Sequence, residues 1–414
     1  MPSNSFLKSV KYCAWLFIFL AWLFPLNAKG LQDTVLFDNA KSGIPFRIPA
    51  IAQANNGDII ALSDYRKCKA DIGYGEVDII GRISQDNGKT WSEHFVIAAG
   101  NGKKNDNACG YGDACIVADR LTDEVLVMAV TGNVVYFSST QNNPNRVALI
   151  RGKFDKKTSS WQWSEPRDVT EEIYSQLPEV KGLFFTSGRI LQSRIVKKDK
   201  FFRLYAGLCT LSGNFVMYSD DFGGHWNVLG SNRQSCIADG DECKCEELPD
   251  GSVLLSSRTD FGRIFNVFKF TDIDNAIGSW QKEVKPSKDN NGIYNSGTAC
   301  NGEILLISAV RKSDNRNVHL LLQSVVAREG RNDVTVYYKE LKFPDDYSSA
   351  ENIAKDWDGK FQISHTSSAY STMIQLQDET IAVYFEENAF NGGYDMRYCT
   401  FTIETITQNK FSAL

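Results

Sequence analysis

Short runs of apolar residues recur along most of the chain, each broken by a cluster of turn-forming residues. "DIIALSDYR", "EVDIIGRIS", "EVLVMAV", "RVALIRGKF", "FFRLYAGL", "NFVMYS", "SVLLSSR", "EILLISAV", "NVHLLLQSVV" and "TIAVYFEE" all have this form. Their length and β-branched content predict strands. Between them lie "NNGD", "PDGS" and "CNGE". Asn, Asp and Gly tolerate positive φ, so these segments suit tight hairpins. Helical periodicity is scarce, and one short helix is expected near "VTEEIYSQLP".

A longer repeat underlies the strands. "SQDNGKTW", Ser84–Trp91, returns in altered form as "SDDFGGHW", Ser219–Trp226. Beyond the first segment the tryptophans are Trp91, Trp161, Trp163, Trp226, Trp280 and Trp357. Leaving out Trp161, neighbours are 54 to 77 residues apart, and "TWSEHFVI" at Trp91 echoes "QWSEPRDV" at Trp163. A spacing near 66 residues allows about six units in the chain after residue 28. Four-stranded sheets of that size, set radially, give an all-β, six-bladed β-propeller of antiparallel sheets. In the repeated turn the Asp carboxylate can accept N–H groups that the hairpin leaves unpaired, while the Trp packs between units.

Composition adds bounds. The 414 residues carry a net charge of -5 and 43% apolar side chains, enough for a substantial core. The mildly acidic balance gives no reason to expect a nucleic-acid partner. Lys8 and Lys11 precede the apolar run "YCAWLFIFLAWLFPL" and the small residues near Ala28. Residues 1–28 therefore read as a secretory signal peptide, with an uncleaved anchor as the alternative, and 29–414 as the propeller. Export implies a periplasmic, cell-surface or secreted protein, and ten cysteines then raise the expectation of disulfides. "CKC" at Cys243 and Cys245 fits neither a ready mutual disulfide nor a zinc spacing, and the four His residues form no ligand motif. No metal or other cofactor is expected, and the chain is expected to be a monomer.

"FRIP", Phe46–Pro49, ahead of the "SxDxGxTW" turn, resembles the arginine motif and Asp boxes of the bacterial-type exo-α-sialidases (neuraminidases), and the resemblance covers the whole mature chain. It implies an arginine triad for the substrate carboxylate: Arg47 in "FRIP", Arg258 in "LLSSRTD" and Arg316 in "SDNRNVH", with Arg311 close to the last. Guanidinium suits this task because its planar fork matches a carboxylate. The implied nucleophile is Tyr370 in "SSAYSTMIQL", with Glu242 as its base and Glu246 and Glu247 as local rivals. A phenol is repelled less than a carboxylate by a carbon that already bears one, and sialidases are the known Tyr exception among retaining glycosidases.

By the same resemblance, "SDYRKCKADIGYGEVD" supplies Arg66 for substrate and Asp71 as general acid, with Asp64 and Asp78 as alternatives. Glu386 in "VYFEEN" resembles the carboxylate that orients the first triad arginine; strand alternation lets only one of Glu386 and Glu387 face inward. Asp113 in "GYGDACIVAD" resembles a residue that reaches sugar substituents. A propeller reconciles positions so far apart, since its innermost strands converge on one axis. The cationic pocket is expected to favour the phenolate of Tyr370. The implied substrates are sialylated glycoproteins, glycolipids or oligosaccharides, cleaved with retention through a covalent tyrosyl intermediate. A trans-sialidase, or a catalytically silent sialic-acid-binding propeller, remains an alternative.

Overall fold

The computed structural model describes residues 32–295, 300–389 and 393–414. The expected signal segment, 1–28, lies outside the described residues. The apolar runs form strands, and the strands form six small sheets. The first blade holds Phe46–Gln53, Ile59–Tyr65, Asp78–Ser84 and Phe95–Ala98, from the axis outwards. The fourth has Cys243–Glu247, Val253–Thr259, Gly262–Asp272 and Ile277–Trp280 in the same order. The protein is thus an all-β, six-bladed propeller built on antiparallel four-stranded sheets. The second, third and fifth sheets carry additional short strands. The expected helix is a single turn, Thr170–Tyr174.

The sixth blade is completed by the strand nearest the start of the described chain. Ser368–Gln375, Ile381–Asn388 and Tyr394–Phe401 are followed outwards by Gln32–Phe37, antiparallel to Tyr394–Phe401. Pairing the two ends of the ring removes an open edge that would otherwise bind other strands.

The tryptophans pack where blades meet. The Trp91 ring lies edge-on to Tyr398 of the sixth blade at 5.0 Å. Trp161 Nε1 donates to Asp58 of the first blade at 2.9 Å, and Trp280 Nε1 to the carbonyl of Leu229 in the third at 2.9 Å. Trp226 joins a cluster that takes Leu126, Met128 and Leu149 from the second blade and Leu204, Leu208 and Phe222 from the third. The first five units thus each bury a tryptophan against the preceding blade, Trp357 of the fifth meeting Phe265 of the fourth, which explains the long repeat.

The two related turns are built alike. Asp86 Oδ1 accepts from the Thr90 N–H at 2.8 Å, and Asp86 Oδ2 from Thr90 Oγ1 at 2.6 Å. Asp221 accepts from the His225 N–H at 2.8 Å and pairs with His225 Nδ1 at 2.6 Å, so the imidazole occupies the place of the threonine hydroxyl. Hydrogen bonds from Thr90 pull the Asp86 carboxyl down to about 2.

The disulfide expectation is not met: Cys68, Cys109, Cys115, Cys209, Cys236, Cys243, Cys245, Cys300 and Cys399 are all free thiols, and all but Cys68 are buried. Cys115, Cys209, Cys243, Cys245 and Cys399 sit in packed strands, and Cys109, Cys236 and Cys300 are buried in connecting segments, where the core rather than a cross-link fixes the chain.

Candidate active site

The inner strands all run from one end of the ring to the other, and one end gathers the chemistry. Arg47 and Tyr370 lie near the starts of inner strands, and Glu242 directly precedes one. Arg258 and Glu386 lie near the ends of second strands, and Arg66 and Asp71 in the loop that follows Ile59–Tyr65. Three inner strands break register at this end: between Arg47 and Ala50, Gly112 and Cys115, and Ser368 and Ser371. Such bulges turn side chains out of the pleat, and here they release Asp113 and Tyr370 from the ladder and leave Ile48 outside it directly after Arg47, which stays paired with Asp64.

Tyr370 is the centre. Its hydroxyl accepts from Arg258 Nη1 at 3.1 Å, and Arg258 Nη1 also donates to Glu242 at 2.5 Å. The guanidinium carbons of Arg47 and Arg331 lie 5.5 and 5.8 Å from the centroid of its ring. Glu386, fully buried, accepts from Arg47 Nε and from the Ile48 N–H at 2.7 Å each, and from the Tyr370 N–H at 3.3 Å. Ile48 sits at φ 62°, a costly conformation for a β-branched residue. Glu386 holds it there. Its neighbour Glu387 instead faces outwards and pairs with Arg397 at 2.7 Å.

The electrostatics differ from the phenolate expectation. Burial, then the charge of Glu242, push the Tyr370 phenol well above its usual value, outweighing the pull of Arg258 and Arg47. The resting side chain is a neutral phenol. Burial also raises Glu242, helped by adjacent Asp241 and opposed by Arg258. A base with raised proton affinity beside a phenol is suited to taking its proton. Burial disfavours the charges of Arg47 and Arg258, but Glu386 and Glu242 respectively outweigh it and hold both guanidiniums charged.

The other half of the site surrounds Arg66. Its Nη2 lies 2.9 Å from Asp71, 3.0 Å from Asp64 and 3.8 Å from Asp113. The Asp71 side chain is 58% exposed and opens to solvent, whereas Asp64 is buried. Asp113, at φ 50°, is pushed well above the usual carboxylate range by burial and by its neighbours Asp71 and Asp64.

Of the nine residues expected, eight come to this end, and Arg316 does not. It begins the strand Arg316–Arg328, exposed beside Asp314 in the hairpin at the opposite end. Thirteen residues at about 3.3 Å each separate the strand's two ends by roughly 40 Å. Arg311, its neighbour, is at that far end too, paired with Glu340 at 2.9 Å. The third arginine beside Tyr370 is Arg331, in the turn after the strand. Its carbonyl accepts from the Ser368 N–H at 2.9 Å, which ties that turn to the tyrosine strand. The signal lay in strand parity: Arg66, Arg258 and Glu386 all lie at or just past the end of a second strand, and in the fifth blade that place belongs to "REGR". Of the rivals to Glu242, Glu246 pairs with Arg189 and Arg194 at 2.7 and 2.8 Å, and Glu247 bonds Ser193. Asp78 accepts from the Gly100 N–H and pairs with Lys67 at 2.7 Å. A cavity of about 760 Å³ opens at the far end, lined by Gln53, Arg120, Arg194, His319 and Gln377 among others, and holds none of the expected residues.

Comparison with known proteins identifies the family. The BNR repeat-like domain family matches residues 69–383. The chain belongs to that family. A sialidase of Micromonospora viridifaciens is 28% identical over 227 residues, covering 53% of this chain and 34% of the relative. One from Bacteroides fragilis is 26% identical over 235 residues, covering 52% of this chain and 40% of the relative. The chain thus spans about a third to two-fifths of these two relatives. A leech intramolecular trans-sialidase, solved with 2,7-anhydro-Neu5Ac, superposes with a TM-score of 0.68 at 16% identity, covering 92% of this chain and 71% of that one. Within the BNR repeat-like family, the resemblance to bacterial-type sialidases read from the sequence therefore holds.

Proposed function

We propose that this BNR repeat-like protein is an exo-α-sialidase that releases terminal α-linked sialic acid with retention of configuration. The observation that carries the reading is the convergence of Arg47, Arg258 and Arg331 on one buried phenol backed by Glu242. Three guanidiniums in one pocket match the carboxylate of sialic acid. Tyr370 Oη attacks the anomeric carbon while its proton passes to Glu242, and Asp71 protonates the departing glycosidic oxygen. In the second step Asp71 takes a proton from water, water oxygen bonds to the anomeric carbon, and Tyr370 leaves and recovers its proton from Glu242. The arginines offset the negative groups throughout, and Asp113 and Arg66 border the space for the sugar's substituents. The substrates are sialylated glycoproteins, glycolipids or oligosaccharides, met outside the cytoplasm after export directed by the first segment.

Tyr370→Phe tests this. Turnover of an aryl sialoside is expected to fall by about 10²-fold or more, with an unchanged unfolding transition. Mass spectrometry of the wild type with a slow fluorinated sialosyl donor is expected to place one sugar on Tyr370. Unchanged turnover in the variant, or label on another residue, would remove Tyr370 from the mechanism.

A further inference from the structure

Glu386 has a counterpart in the other half of the site. Asp64 is fully buried, and its Oδ2 accepts from Arg66 Nε at 3.2 Å and Nη2 at 3.0 Å. Its Oδ1 accepts from the Asp113 N–H at 2.9 Å. Both carboxylates stand near the end of a second strand and reach the inner strand of the next blade. Both grip the backbone N–H of a residue in the left-handed region, Ile48 at φ 62° or Asp113 at φ 50°, where the ladder breaks register. Both also hold an arginine by its Nε. The fit around Asp64 is close: a Cβ on Gly112 would lie 2.8 Å from Asp64 Oδ2 and 2.7 Å from Ile72 Cδ1. Only glycine lets this carboxylate and the loop bearing Asp71 come together.

We propose that Asp64 is a positioning residue for Asp71, holding Arg66 and the Asp113 bulge in the arrangement that lets Asp71 act as general acid. The inference rests on the reading of Asp71 as the acid. The charged groups facing Asp64 are Arg66, Asp71 and Asp113, together with Arg47 as its cross-strand neighbour. Three carboxylates thus share one close guanidinium. Burial, opposed by Arg66 and helped by the charge of Asp71, pushes Asp64 up to about 7. The cluster therefore retains a proton near neutrality, and Asp71 is its solvent-facing member.

Two substrates separate positioning of the acid from general structural support. A sialyl-galactoside needs its leaving oxygen protonated; a nitrophenyl sialoside does not. Removing general-acid assistance costs about 10²–10⁴-fold. Asp64→Asn is expected to lose at least about 100-fold in kcat on the galactoside and less than about 10-fold on the nitrophenyl substrate. Equal losses on both would overturn the proposal. Asp71→Asn checks the underlying reading separately: equal losses there would mean that Asp71 is not the acid, whatever Asp64 does. Asp71→Asn also gives a test that leaves Asp64 intact. With ¹³C-labelled aspartate, the carboxyl titrating near neutrality in the wild type is expected to move to lower pH when the Asp71 charge is removed. An unmoved midpoint would overturn the coupling.

Discussion

Removing Glu386 should damage stability and substrate capture together. Its carboxylate binds one guanidinium and two backbone N–H groups, all within 3.3 Å, and is shielded from water. Truncation to Ala leaves the 80%-buried Arg47 side chain without its counter-charge and the Ile48 N–H without an acceptor. Breaking a buried ion pair on one side costs about 3–5 kcal/mol. Ile48 also loses the bond that holds it at φ 62°. Glu386→Gln keeps the shape and one acceptor oxygen but loses the charge, so about 1.5–3 kcal/mol is expected. In substrate binding, an Arg47 no longer held by Nε loses its aim at the sialic acid carboxylate. One charged hydrogen bond of about 1.5–3 kcal/mol corresponds to roughly 10- to 100-fold in kcat/KM. Urea unfolding followed by tryptophan fluorescence and kinetics on an aryl sialoside would measure both quantities. A Gln variant with wild-type unfolding free energy and kcat/KM within about twofold would refute the reasoning, because a carboxylate so placed would then be contributing nothing.

The remaining expectations are more local. Arg331→Ala should lower kcat/KM for an aryl sialoside by about 10- to 100-fold, and Arg316→Ala should leave it unchanged; the opposite ranking would restore Arg316 to the site. Trp226, packed on Phe185 with ring centroids 5.1 Å apart, joins the second and third blades, so Trp226→Ala should cost about 3–5 kcal/mol in urea unfolding. A loss below about 1 kcal/mol would mean that the blades do not depend on that contact. Asp64, raised from 3.8 to about 7, binds its proton more tightly folded than unfolded, as do Asp113 and Glu242, in each case first through burial. The unfolded state therefore holds fewer protons between about pH 4 and 7, and stability should fall as pH rises through that window. Burial also raises Glu247, Glu340 and Asp395, which act in the same sense; His319, pushed down by burial, opposes them, as do carboxylates held low such as Asp86 at the acid edge of the window. A urea midpoint no lower at about pH 7.5 than at about pH 5 would contradict the assignment.

Eight of the nine residues that the resemblance implied come to one end of the ring, and the motifs that carried it sit in local frames: "FRIP" starts an inner strand, "SSRTD" ends a second strand, and "SSAYSTM" crosses a bulge. Arg316 was misplaced because a hairpin's two ends look alike in sequence, and choosing between them requires knowing which end of the strand faces the site. Asp64 appeared only as a rival for the acid's role. Nothing local marks it as the residue that spans two blades, since its partner Asp113 is 49 residues away. The cysteines misled for a related reason: their number argued for cross-links, whereas all the described ones are free thiols and all of these but Cys68 are packed in the core.

The sequence by itself determined the strands, the hairpins and the tryptophan spacing of six units, because alternation, turn chemistry and the need to bury a large ring are short-range constraints. Which residues share the pocket, whether Tyr370 rests as phenol or phenolate, and what Asp64 touches were decided only when the ring closed. Those properties depend on distances and solvent exclusion between strands far apart in the chain, and neither quantity exists until the blades pack.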